Sequence, residues 1–77
     1  MPEAFVLFKT EPSQERGVYV ALSENQYVAE VHALYGEYDL LVRVTSEDEK
    51  SLTKMLMQEF RMILGVKETQ TLIAVDY

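Results

Sequence analysis

The sequence predicts an α+β fold, a four-stranded antiparallel sheet carrying two helices on one face. Three observations predict it. Four short strand-like runs are interrupted twice by helical patterns, giving the order β-α-β-β-α-β. The two middle runs are separated by a glycine at the spacing of a tight hairpin. The second helical segment carries an apolar stripe at a period of 3.6 residues, as a helix laid on a sheet requires.

Residues 4–9, AFVLFK, form a continuous apolar run of aromatic and branched side chains, the pattern of a central strand buried on both faces. Pro12 ends the extended chain, Ser13 is the expected N-cap, and Val18, Ala21 and Leu22 recur at helical spacing. Gly17 weakens that helix by about 1 kcal/mol relative to alanine. Residues 28–35, VAEVHALY, and 38–45, YDLLVRVT, are strand-like runs flanking Gly36-Glu37. That pair suits a two-residue type II′ turn, whose first position needs the positive φ that glycine adopts without steric cost.

Ser46-Glu47-Asp48-Glu49 has the Ser-x-x-Glu form of a capping box, with acids where they meet the positive end of the helix dipole. Leu52, Met55, Leu56, Phe60, Ile63 and Leu64 then trace the apolar stripe, and Gly65 is the expected C-cap. Met55, Met57 and Met62 lie in or beside that stripe as filling for a core or an interface. Residues 66–76, VKETQTLIAVD, give the last strand, with Thr69, Thr71, Ile73 and Val75 on one face.

Right-handed crossovers fold this order into a ferredoxin-like sandwich with both helices on the same side of the sheet. In the first strand Phe5 and Leu7 point one way and Val6 and Phe8 the other, so both sheet faces are apolar at the centre. Two helices cover only one face. The other has to meet a second protein surface, and a two-fold homodimer is the economical solution.

Composition narrows the function classes. Seventy-seven residues suit a single domain, 1–77, which buries too little surface for comfortable stability without a staple or a partner subunit. There is no cysteine, which excludes disulfides and thiolate metal sites. The single histidine, His32, has no cluster of acids at ligand spacing, so neither metal nor cofactor is expected. Thirteen acidic against seven basic residues give a net charge of −6, which repels a phosphate backbone, and no direct nucleic-acid contact is expected. Lys50, Lys54 and Arg61 share one side of the second helix, but Glu47 and Glu59 dilute them. No run approaches the roughly 20 apolar residues of a membrane span and no basic leader opens the chain, so a cytoplasmic protein is expected.

The residue that this pattern leaves unexplained is Asp39, an acid at the mouth of the strong strand LLVRV, three positions after Gly36. With Gly36-Glu37-Tyr38-Asp39 running into Leu40-Leu41-Val42, and Thr69-Gln70-Thr71 running into Leu72-Ile73, the chain resembles the effector-binding (RAM) domain of the Lrp/AsnC regulators over nearly its whole length. Full-length members carry an N-terminal helix-turn-helix, whereas this sequence begins at Met1 directly before its first strand, so the resemblance is to the stand-alone form. It implies dimers that pair through their sheets and gather into larger rings, often octamers. A free amino acid would bind between dimers, and any effect on transcription would pass through a regulator protein partner. It further implies that Asp39 accepts a hydrogen bond from the effector's ammonium group, that Tyr35, Gly36, Glu37 and Tyr38 line the site, and that Thr69 and Thr71 offer hydroxyls to it.

Plainer readings stand beside these. In these, Asp39 hydrogen-bonds nearby turn amides and does nothing else; Thr69 and Thr71 suit a strand by propensity alone; Tyr35 and Tyr38 are the kind of pair that stabilises a hairpin. His32, on the strand face shared with Val28, Glu30 and Leu34, is read as a structural or interface residue. The alternatives to an effector module are a cofactor-free enzyme of the dimeric α+β barrel type and a purely structural oligomerisation domain. The first needs a second polar group converging on His32, and the sequence supplies none at an obvious spacing.

Overall fold

In the computed structural model, which describes residues 3–75, the chain runs β1 (Glu3–Thr10), α1 (Glu15–Ser23), β2 (Val28–Ala33), β3 (Leu40–Thr45), α2 (Glu49–Gln58), a 3-10 turn (Phe60–Met62) and β4 (Val66–Ile73). Every strand pairing is antiparallel, in the order β2-β3-β1-β4, so the two central strands are the two most continuous apolar runs of the sequence. This is the expected ferredoxin-like sandwich.

Alternation along β1 and β3 divides the sheet. Ala4, Val6 and Phe8 oppose Val44, Val42 and Leu40 in register, and all six are buried under the helices. They close a core with Val18 and Leu22 of α1, Leu52 and Met55 of α2, and Phe60. Phe60 meets Phe8 edge-on, with ring centroids 5.4 Å apart, which fastens the 3-10 turn to β1. On the opposite face Phe5, Leu7 and Leu41 remain half-buried and Leu72 is 47% exposed.

The structure moves several boundaries. The N-cap of α2 is Asp48, whose carboxylate accepts the Ser51 amide at 2.7 Å, while Ser46 is buried at the end of β3; aspartate caps as well as serine, and the nearer acid takes the role. In α1 the cap is Gln14 without a side-chain bond, because Ser13, at φ 71°, sits inside a turn closed by the Gln14 amide on the Glu11 carbonyl. Ala21 is exposed beside buried Val18 and Leu22. The stripe of α2 holds through Phe60, but the helix tightens into the 3-10 turn, its periodicity changes, and Leu64 is left 86% exposed. The last strand ends at Ile73, and Asp76 lies outside the described residues.

Two corrections bear on the site. Strands β2 and β3 are not joined by a two-residue turn: the connection runs from Leu34 to Asp39 and is closed by the Leu34 amide on the Asp39 carbonyl at 2.8 Å. Gly36 keeps its positive φ, 137°, inside this wider loop. A β-bulge between Val28 and Glu30 also separates residues expected on one face. Val28 opposes Val44 and packs on the core, while Glu30 and His32 oppose Arg43 and Leu41 on the open face.

Candidate functional site

Asp39 is held from both sides. Its amide donates to the Phe8 carbonyl at 2.8 Å, and its side-chain Oδ2 accepts the Thr10 amide at 2.8 Å and the Thr10 hydroxyl at 3.2 Å. A loop carboxylate is thereby fixed to the end of a central strand, in a half-buried position.

Next to it, on the open face, Lys9 is the hub of a second group. Its ammonium lies 3.5 Å from Glu68, 3.9 Å from Glu37, and 5.3 Å from the Tyr38 ring centroid, within cation–π range. The Tyr38 hydroxyl donates to Gln70 Oε1 at 2.5 Å, tying the loop across β1 to β4. The structure thus brings Glu37, Tyr38 and Asp39 together through two residues of β1, Lys9 and Thr10, that sequence reasoning did not select. Gln70 was also missed. Its signal is the strand alternation, which puts it on the same face as Lys9 and Tyr38's hydroxyl, whereas nothing local in the sequence points to Thr10.

The remaining expected residues fall elsewhere. Tyr35 is fully exposed at the loop tip. Opposing Phe8 and Val6, Thr69 and Thr71 lie on the helix side of β4, away from Gln70; Thr69 is half-buried and Thr71 exposed. His32 lies on the edge strand β2 of the open face, opposite Leu41, its Nε2 3.5 Å from Glu30. There Arg43 binds Glu30 through Nε and Glu3 through Nη1, the latter at 2.9 Å. The Arg43 guanidinium, by hydrogen bond and then by charge, holds the Glu30 carboxyl below its usual range. Among the described residues no group of three or more His, Cys, Asp or Glu side chains is placed to hold a metal, and no helix is long and apolar enough to cross a membrane.

The four-stranded antiparallel sheet with its β-α-β-β-α-β order is the fold that the sequence resemblance implies. The pattern of the family described as the Lrp/AsnC ligand binding domain matches residues 3–76. The chain belongs to this family. Among curated proteins it is 30% identical over 76 residues to an uncharacterized HTH-type transcriptional regulator of Pyrococcus abyssi (strain GE5 / Orsay), a match spanning 95% of this chain and 51% of that protein. The chain spans about half the length of the curated relatives it matches. Among solved structures it is 35% identical to FFRP-DM1, with a TM-score of 0.94 over 97% of this chain and 100% of that one. It shares its fold, at 19% identity and a TM-score of 0.84, with a transcriptional regulator of Neisseria meningitidis in complex with L-Met, over 97% of this chain and 50% of that one.

Proposed function

We propose that residues 1–77 form one cytoplasmic, self-assembling regulatory domain that binds a free amino acid and catalyses no reaction. The observation that carries the reading is the mounting of Asp39. Both bonds from Thr10 reach Oδ2, which fixes the carboxylate while its other oxygen is left to accept a charge-assisted hydrogen bond from an ammonium group. Membership of a ligand-binding family supports the reading, and so does a structural neighbour solved with an amino acid. Tyr35, Gly36, Glu37 and Tyr38 of the β2–β3 loop and Thr69 and Thr71 of β4 complete the reading as the remaining binding residues. The apolar open face, Phe5, Leu7, Leu41 and Leu72, supports pairing of two copies, and such dimers build the higher oligomer. Residues 3–75 build no DNA-reading unit, so their effect on transcription passes through another domain or a regulator protein. Effector binding acts by favouring one assembly over another.

Thermal unfolding against a panel of free amino acids tests the reading. A ligand at 100 times its dissociation constant stabilises the folded state by about 2.7 kcal/mol, a shift of several degrees for a domain of this size. Asp39→Asn retains an acceptor for Thr10 but turns an amide NH2 toward the ammonium, so it abolishes the shift while His32→Gln preserves it. Intact oligomers that no amino acid stabilises would instead identify a purely structural assembly domain.

A further inference from the structure

The buried residues of α1 are Val18 and Leu22, which seat the helix on the core. At about 100° per residue, Val20 lies directly opposite that pair, and Arg16, Gly17, Ser23 and Glu24, three and four residues to either side, surround it on the outward face. All five are exposed, Val20 at 47%, and Tyr19 borders them at 41%.

Three of the five work against the helix that carries them. Gly17 is a poor helix former, and an added Cβ there would meet nothing within 4 Å, so no packing inside the chain calls for a glycine. Arg16 stands in the first turn, at the positive end of the helix dipole, and Glu24 is the C-cap at the negative end. Neither forms an ion pair among the described residues. Local choices that oppose their own element, with no compensation inside the fold, mark a surface that serves something outside it.

A second copy of α1, antiparallel across a two-fold axis at Val20, compensates all three. Arg16 then meets the partner's Glu24, Gly17 meets the partner's Ser23, and Val20 meets the partner's Val20, each contact made twice by symmetry. The opposed dipoles run side by side, each misplaced charge gains an opposite one, and the small residues let the axes approach to about 8–10 Å. We propose that this face of α1 is a second interface between copies of the chain, one that joins sheet-paired dimers into the higher oligomer. A nine-residue helix against its copy is small beside the roughly 1,200 Å² of a stable interface, so the contact holds between units that offer it more than once. A dimer paired through its sheets offers it twice, since the helices lie on the far side of each sheet. The inference rests on that pairing for its valency, but the contact is testable alone.

The chain has no cysteine, so Val20→Cys in the intact 77-residue protein supplies a single thiol at the proposed axis. In a glutathione redox buffer it is expected to give a disulfide-linked pair of chains, whereas Thr53→Cys, on the exposed side of α2, is not. Charge exchange adds a second readout, by light scattering. Arg16→Glu should raise the concentration at which dimers join on the order of tenfold, and Arg16→Glu/Glu24→Arg should restore the native value, because the same pairs form with their signs reversed. Arg16→Glu puts an acid at the positive end of the dipole, so the fold is expected to survive with an unchanged circular dichroism spectrum. A Val20→Cys cross-link no faster than that of Thr53→Cys overturns the proposal. So does a double variant that assembles as poorly as Arg16→Glu, since α1 would then face a different protein surface. A native protein that scatters as a single chain but cross-links through Val20→Cys removes the pairing through the sheet and leaves this contact. Native dimers that never cross-link keep the sheet pairing and remove this inference.

Discussion

Asp39 accepts two hydrogen bonds from one distant residue, Thr10, and both fall on the same carboxylate oxygen. The pair stitches the β2–β3 loop to the end of β1. Asp39→Ala leaves the Thr10 amide without its partner and is expected to cost about 1–3 kcal/mol, whereas Thr10→Val removes only the hydroxyl bond and costs about 1 kcal/mol. Urea unfolding of the three proteins measures the difference. Equal midpoints for Asp39→Ala and the native chain would show that the contact does not hold the loop.

Two glycines offer an opposed pair of substitutions. Gly65 has φ 98°, and a Cβ there would lie 2.7 Å from the Gln14 Cβ and 3.1 Å from a Val18 methyl, at the point where the turn before β4 meets α1. Gly65→Ala is therefore expected to destabilise by about 2 kcal/mol or more. Gly17 lies within α1 with nothing within 4 Å of its Cβ position, and Gly17→Ala is expected to stabilise by about 0.5–1 kcal/mol. Calorimetric melting gives both signs, and a shared sign for the two variants would contradict the packing described.

The Arg43 cluster sets part of the acid response. Because Arg43 bonds and attracts the Glu30 carboxylate, Glu30 titrates below the ordinary glutamate range in the folded chain, and the unfolded chain takes up the proton first as the pH falls. The contribution is fully present well above the ordinary glutamate pKa and fades as the pH drops through the lower folded one. Glu30 is exposed and Arg43 only half-buried, so salt weakens the effect. Comparing urea midpoints at neutral pH and near pH 3.5, Arg43→Gln should lose less on acidification than the native chain. An identical loss in the two proteins would place the acid response elsewhere.

What the sequence disclosed was burial. The continuous apolar run of β1 records a central strand, and the 3.6-residue period of Leu52, Met55 and Phe60 records the side that meets the core; those three are buried with Ala4, Val6 and Phe8, while Phe5 and Leu7 are half-buried on the open face. What it did not disclose depends on where the chain turns. Leu64 continues the helical period on paper but follows a 3-10 turn, and Val28 alternates with His32 until a bulge intervenes. Around Asp39 the break between two strands was legible from its glycine and aspartate, but its length was not: the expected two-residue turn is a loop from Leu34 to Asp39. The partners Thr10 and Gln70 were not, since they arrive from β1 and β4 through register, and register follows from the assembled sheet.

The open sheet face supplies the last test. Leu7 lies at its centre, opposite Leu41 on β3 and Gln70 on β4, and its side chain points away from the buried Val6 and Phe8. In an isolated copy, Leu7→Glu would place a carboxylate in water and leave the core untouched. In a dimer paired through this face, the same substitution buries two unpaired carboxylates against each other, which association does not tolerate. Light scattering should therefore report multiples of the 8.9 kDa chain for the native protein and a single chain for Leu7→Glu, with an unchanged circular dichroism spectrum. Val6→Glu is the contrasting control: at 1% exposure it faces the helices, and it should unfold the chain. A native protein that scatters as a single chain would leave Phe5, Leu7, Leu41 and Leu72 in water and remove the basis for self-assembly through the sheet.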